Sequence, residues 1–392
     1  MASSSAEPCS AVFTRVFVYS LMGFATFGFV SGILHVVVTD LLRAFDLTSG
    51  ALGRALTIGS IGSLPVMFYG GRVADRFGQK FLLVISCLAL ATALVGTSLA
   101  QSYSVLVVLL LLSACANGAL DVGINAASIT AEQRSGRKLI AYCHAAFSGF
   151  AALSALLAGL ILSSGASFRL LYGLAALVCV LYVVTILLGG GMPREVPKEI
   201  AAKGINRPRS LFREPVLLLL GGIVALAAIS ESSLEIWSAV YLREVLNLSA
   251  LVGASGVAGY HLAMFLGRLL MARLTLHFSR RTLLTASGLA TLAGMTLALS
   301  TTHSVLVLAG FFVVGLALAG VAPMGFSLAG DLSKGRAGET SSVMTLISYG
   351  GFLVAPGFIG MLANALGLRV ALGTIVFSGL LVAWSSRSIK TV

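Results

Sequence analysis

The run Asn117-Gly118-Ala119-Leu120-Asp121-Val122-Gly123-Ile124-Asn125 holds three residues able to bind a proton or a polar solute. Asn117, Asp121 and Asn125 recur at every fourth position, which makes one stripe on a helix. The surrounding residues 104–130 are apolar for more than the roughly 20 residues a bilayer requires. A carboxyl inside a span is costly and is a functional candidate by default. Lipid offers no partners, so the stripe is expected to face an interior cavity, where Asp121 could take up and release a proton. The alternative is a structural acid, fixed by its two asparagines and a neighbouring helix.

Glu231 and Glu235 are one turn apart on a predicted span over 215–240 and therefore share a face. Glu231, a few residues past the middle, is a cavity candidate. Glu235 lies nearer the end, where it reads as solvated or as a second contact to a solute. Trp237 either stacks on a sugar-like or ring-shaped solute or anchors at the membrane interface. Three histidines fall within spans and can titrate near neutral pH. His144 could pair with Asp121 or simply pack, His261 could face the cavity, and His35 sits toward the end of the first span. His277 and His303 read as loop residues.

These residues need a membrane-embedded scaffold. Of 392 residues, 58% are hydrophobic and only 10% charged, against about a quarter charged in soluble domains. Apolar runs recur at 13–38, 51–70, 81–101, 104–130, 139–163, 168–189, 215–240, 251–276, 282–301, 304–329, 341–363 and 367–386. Unbroken runs exclude the alternating strands of a barrel. The fold class is therefore all-α integral membrane, with twelve transmembrane helices. Forty-four glycines suit close helix packing in lipid, and Pro323 and Pro356 are candidate kinks in spans ten and eleven.

The net charge of +12 reports topology. With the N-terminus in the cytoplasm, all Lys and Arg but Arg43, Arg54, Arg169, Arg243 and Arg369 fall on the inner side. The positive-inside rule then places both termini in the cytoplasm. Residues 190–213 combine prolines with dense charge and are expected to link a bundle over 1–189 to a second over 214–392. The opening MASSSAEPCS precedes the first span without a basic region and cleavage site, so no cleaved signal peptide is expected. Five scattered cysteines lack redox or metal spacing. No phosphate-binding lysine motif, paired-histidine metal motif or nucleophile elbow is present, so neither an enzyme nor a cofactor is expected.

The two halves echo each other. Gly71-Arg72-Val73-Ala74-Asp75-Arg76-Phe77-Gly78-Gln79-Lys80 joins spans two and three, and Gly267-Arg268 with Phe278-Ser279-Arg280-Arg281 stands at the matching joint. Ser135-Gly136-Arg137 is matched by Lys334-Gly335-Arg336. Such a parallel repeat is the arrangement of transporters that hold solute between two halves.

The residues Gly71, Asp75, Arg76, Gly78 and Lys80 resemble the loop motif of the major facilitator superfamily. The resemblance implies two pseudo-symmetric six-helix bundles and an inner gate. In it, Asp75 meets the helix opening near Thr340-Ser341, Arg134 pairs with the motif, Gly71 packs closely and Gly78 makes the turn. Leu276 and Ser279 replace the acid and glycine in the second copy, so the latch is expected on one side only. A narrower likeness runs from Leu120-Asp121-Val122 and Asn125 through Glu132, Gly136-Arg137 and His144-Ala145-Ala146-Phe147-Ser148. The segment Glu231 to Arg243, with Trp237-Ser238-Ala239-Val240-Tyr241-Leu242, extends it. Both resemble a poorly characterised permease branch related to the fucose permeases, which includes YbjJ-type and MosC-type proteins.

In fucose permease an acid on span four carries the proton and Asp121 aligns with it, while a second acid on span one falls at His35. The expectation is alternating access by a secondary transporter of a small hydrophilic solute, coupled to protons, in a bacterial inner membrane. Asp121, His35 and His144 are the proton-coupling candidates. Asn117, Asn125, Glu231, Glu235, Trp237 and His261 are the solute-binding candidates. Its partners would be the solute, protons and the lipid bilayer, with no nucleic acid, and a monomer is expected. Export of a metabolite or drug-like compound is the nearest alternative. A non-transporting receptor would need a soluble effector domain larger than these loops.

Overall fold

The computed structural model describes residues 9–135, 139–189, 214–332 and 337–389, and among these every regular element is a helix. The first six are α1 (Cys9–Ala44), α2 (Ser49–Phe77), α3 (Gln79–Leu99), α4 (Tyr103–Ser135), α5 (Ile140–Ser163) and α6 (Phe168–Leu188). After residue 213 follow α7 (Pro215–Val240), a π-helical turn (Tyr241–Val245), α8 (Ala250–Leu274) and α9 (Arg280–Ser300). The tenth span is broken into α10 (Ser304–Leu318) and α11 (Val321–Leu332), the eleventh is α12 (Ala337–Leu366), and the twelfth is α13 (Leu368–Leu372) plus α14 (Thr374–Ser386). Among the described residues twelve segments are long and apolar enough to cross a membrane, in the expected order. α1 runs six residues beyond its expected end at residue 38, and those extra residues prove important. Pro323 lies in the first turn of α11, just past the break in the tenth span, and Pro356 lies inside α12.

The helices pack into two compact units. One comprises the chain up to Leu34, Ile58–Ser154 and the stretch from Ser167 through α6. Here α3 packs on α4 and α6. Glycines let α1 approach α5 closely: a Cβ on Gly28 or Gly32 would run into the carbonyl oxygen of Phe147 or Ala151. Buried polar groups are tied across helices, as the lipid setting demands. Tyr182 Oη donates to the Tyr19 carbonyl at 2.8 Å, and Ser20 Oγ donates to the Ile124 carbonyl at 3.2 Å. Glu132 accepts from the backbone N–H groups of Leu139 and Ile140 at 2.8 and 3.1 Å, which caps the start of α5.

The other unit comprises His35–Thr57, Ala155–Ala166 and the chain from α7 onward. Its tightest pairings are α9 with α14, α7 with α12, α10 with α9 and α10 with α8. The ends of α1, α2 and α5 nearest their connecting loops belong to this unit. Large apolar side chains such as Leu188, Phe377 and Trp384 are exposed, which suits helices solvated by lipid acyl chains.

Candidate functional site

The second unit gathers titratable side chains from three stretches of sequence. Glu231 and Glu235 lie on α7, and Tyr260, His261 and Arg268 on α8. His35 comes from α1. Glu235 is only 5% exposed and His261 1% exposed. The His261 Nε2 atom stands 4.0 Å from Glu235 Oε1, and its ring lies parallel to that of His35 with centroids 6.0 Å apart. Arg268, two turns along α8 from His261, is within electrostatic reach of Glu231, Glu235, Tyr260 and His261. The solvated reading of Glu235 is therefore corrected. Its place near the end of α7 suggested water, but it is buried with His261 of α8 beside it.

Further polar atoms lie on the same helices and on the π-helical turn that follows α7. His35 Nδ1, Ser232 Oγ, Trp237 Nε1, Ser238 Oγ, Tyr241 Oη and Tyr260 Oη are enclosed without a hydrogen-bond partner among the described residues. Such atoms are uncommon in folded proteins and each calls for an explanation. Trp237 is fully buried, so it does not anchor at the lipid interface; its ring edge packs where Gly360 of α12 leaves room.

The expected first-unit residues arrange differently. Asn125 Nδ2 donates to Asp121 Oδ1 at 2.8 Å and to the Asp121 carbonyl at 2.9 Å, so the stripe is tied along its own helix. Asn117 Oδ1 is buried without a described partner. His144 packs edge-on against Phe24, with centroids 4.9 Å apart.

The first-loop end of the second unit contains two ion pairs that sequence reasoning missed. Arg243, on the π-helical turn, donates to both carboxylate oxygens of Asp40, at 2.6 and 3.0 Å. The Arg243 side chain is 6% exposed and that of Asp40 16%. Beside it, Arg43 Nε donates to Glu244 Oε1 at 2.7 Å, with both side chains largely exposed. The π turn, a form that recurs at functional sites, carries Arg243 and Glu244 on consecutive positions.

The loops meeting here are themselves a repeat. Asp46 and Asn247 both take left-handed backbone, at φ 50° and 53°. Each precedes a leucine and then a capping hydroxyl, Thr48 for α2 and Ser249 for α8. The signal was available as Asp46-Leu47-Thr48 against Asn247-Leu248-Ser249. Nearby, Ser163 Oγ accepts from the Leu251 N–H at 3.2 Å. Helices α2 and α12 touch through glycines: a Cβ on Gly53 would lie 2.7 Å from the Pro356 carbonyl oxygen and 3.0 Å from Gly360 Cα.

At the loop motif, Gly78 has φ 94° and donates its N–H to the Ala74 carbonyl at 2.8 Å, the turn its type predicted. Arg76 stacks over Phe77 at 5.3 Å, and Lys80 is half-buried on α3. A Cβ on Gly71 would meet nothing within 4 Å, so its expected close packing is not found. The side chains of Asp75, Arg134 and Ser341 lie outside the described residues. In the second half, Arg280 pairs with Asp331 at the end of α11, and Ser279 caps α9 by accepting from Thr282 N–H at 3.1 Å.

The twelve spans, the loop motif and the enclosed polar cluster define a membrane transporter. The family model described as Major Facilitator Superfamily matches residues 19–260, more than half the chain, and the chain belongs to that family. It is a multi-pass membrane protein and a secondary transporter, not an enzyme. An uncharacterized MFS-type transporter of Yersinia pestis is 26% identical over 355 residues, covering 88% of each chain. The membrane protein MosC of Rhizobium meliloti is 28% identical over 348 residues, covering 88% of this chain and 83% of MosC. Among solved structures, the nucleoside transporter NupG superposes with a TM-score of 0.80 at 14% identity, covering 96% of this chain and 99% of NupG. A D-xylose–proton symporter superposes at 0.76 and 15% identity, covering 95% and 96%. These two structural likenesses speak to the fold.

Proposed function

We propose that the protein moves a small hydrophilic solute across a bacterial plasma membrane by alternating access, coupled to the proton gradient, with both termini in the cytoplasm. The observation that carries this reading is the set of enclosed polar atoms in otherwise apolar spans, among them His35 Nδ1, Trp237 Nε1 and Tyr260 Oη, which have no hydrogen-bond partner among the described residues. Unpaired buried polar groups cost free energy unless something polar meets them. A hydrophilic solute with hydroxyl or amide groups answers them, and a greasy one does not. The similarity to MosC favours the permease branch noted from the motifs. The xylose–proton symporter and the nucleoside transporter share the fold, which makes sugars and nucleosides the first solutes to try.

In this reading the first-loop end faces outward, and the buried Asp40–Arg243 pair forms its seal, with the exposed Arg43–Glu244 pair beside it. Alternation breaks those pairs while the Gly71–Lys80 motif, with Asp75 and Arg134, closes the inner end. Asp121, His35 and His144 are the first proton-coupling candidates. Asn117, Asn125, Glu231, Glu235, Trp237 and His261 are the solute-contact candidates.

The test is uptake into proteoliposomes of radiolabelled sugars, nucleosides and a lipophilic cation, with and without an imposed pH gradient. Gradient-driven accumulation of at least one hydrophilic solute supports the proposal. Accumulation of the lipophilic cation alone, or uptake indifferent to the gradient, contradicts it.

A further inference from the structure

Asp121 was the first choice for the coupling proton, but its carboxylate is already held at 2.8 Å by Asn125 on the same helix. The second unit offers a different arrangement. Three titratable side chains, from α1, α7 and α8, meet in an enclosed place. His261 stands between Glu235, at 4.0 Å, and the parallel ring of His35, at 6.0 Å. A separation of 4.0 Å is too long for a finished hydrogen bond. His35 Nδ1 is enclosed with no described hydrogen-bond partner, so a further proton acceptor borders the pair.

We propose that Glu235, His261 and His35 form the site that takes up and releases the coupling proton, with Glu231 and Arg268 setting its charge balance. This rests on the proton-coupled reading above and locates its coupling step in the second unit. With both acids ionised and Arg268 cationic, the cluster carries one net negative charge, and one bound proton makes it neutral. An enclosed site favours the balanced state.

The groups facing the cluster are few. Glu231 adjoins it on α7, and Tyr260 and Arg268 adjoin it on α8. Toward the first-loop end, the charges of Asp40 and Arg243 satisfy each other. Within this unit α2 adds Arg54, which is exposed, while α10, α14 and Val343–Leu366 of α12 carry no charged residue. Among the described residues no group of three or more His, Cys, Asp or Glu could hold a metal ion.

The test is a pH titration of the carboxyl C=O infrared band of the purified protein in lipid, which needs no solute and no transport. The wild type should show a titrating carboxyl that E235Q removes, that H261N and H35N shift in midpoint, and that D121N leaves in place. Loss of the band in D121N or E231Q with E235Q unchanged would overturn the assignment, as would a band indifferent to H261N and H35N. If E235Q fails to fold, the two histidine variants decide the matter by the same shift. Absence of gradient-driven uptake by the wild type would instead sink the transport reading while leaving this titration interpretable.

Discussion

Replacing Asp40 by alanine should unseal the first-loop end without unfolding the protein. The substitution leaves the Arg243 guanidinium, 6% exposed, without the carboxylate that takes two of its N–H groups. Removing one partner of a buried pair costs about 3–5 kcal/mol, chiefly from the stranded charge. Asp40 keeps 16% exposure, so the lower figure of about 3 kcal/mol applies. That cost exists only while Arg243 is enclosed, and it falls on the sealed state. At about 1.4 kcal/mol per tenfold, the open-to-sealed ratio should rise about 100-fold.

Thr39 is fully buried beside Asp40 and provides the reporter. In a background with the five native cysteines replaced, T39C should react with a membrane-impermeant maleimide far faster when D40A is present. The double variant D40A/R243A strands no charge and should label more slowly than D40A alone. The reasoning is refuted if D40A labels at the parental rate while its Tm falls, since the pair would then hold the fold rather than a seal.

R43A should change labelling of T39C little, because a pair this exposed is worth about 0–1 kcal/mol; a change as large as that of D40A would misplace the seal. G53V should unseal the same end, since its side chain would enter the backbone of α12 near Pro356 and Gly360 at about 1–3 kcal/mol; labelling of T39C again reads it. E132A removes the acceptor for the Leu139 and Ile140 N–H groups and should lower stability by about 1–2 kcal/mol. Thermal unfolding in detergent checks this, and an unchanged midpoint would show the cap to be dispensable.

The twelve spans were legible because each must be apolar over a bilayer's thickness. Gly78 was legible because its turn needs a residue tolerant of positive φ. The seal was not. Asp40 lies beyond the expected end of span one, and Arg243 read as an outside charge counted for topology. Their pairing spans 203 residues of sequence, and no local pattern encodes it. Arg268 was counted among the inner-side charges for topology, although it lies within the expected span 251–276, and its reach to the two acids depends on how α8 packs on α7. Glu231 and Glu235 were legible as intramembrane acids, but the burial of Glu235 depends on tertiary neighbours such as His261 of α8. The repeat of loops at Asp46 and Asn247 was present in the sequence; its short polar triplets are simply a weak signal beside long apolar runs.

Alternating access is the central claim, and pulsed electron–electron resonance at both ends of the protein tests it most directly. Spin labels at Ala44 and Val245 report the first-loop end, and labels at Phe77 and Leu276 report the opposite end. In lipid nanodiscs, D40A should lengthen the first distance and shorten the second, and pH should shift both populations in opposite senses. Two ends that open together, or a first-loop distance that stays fixed under both perturbations, would contradict the account.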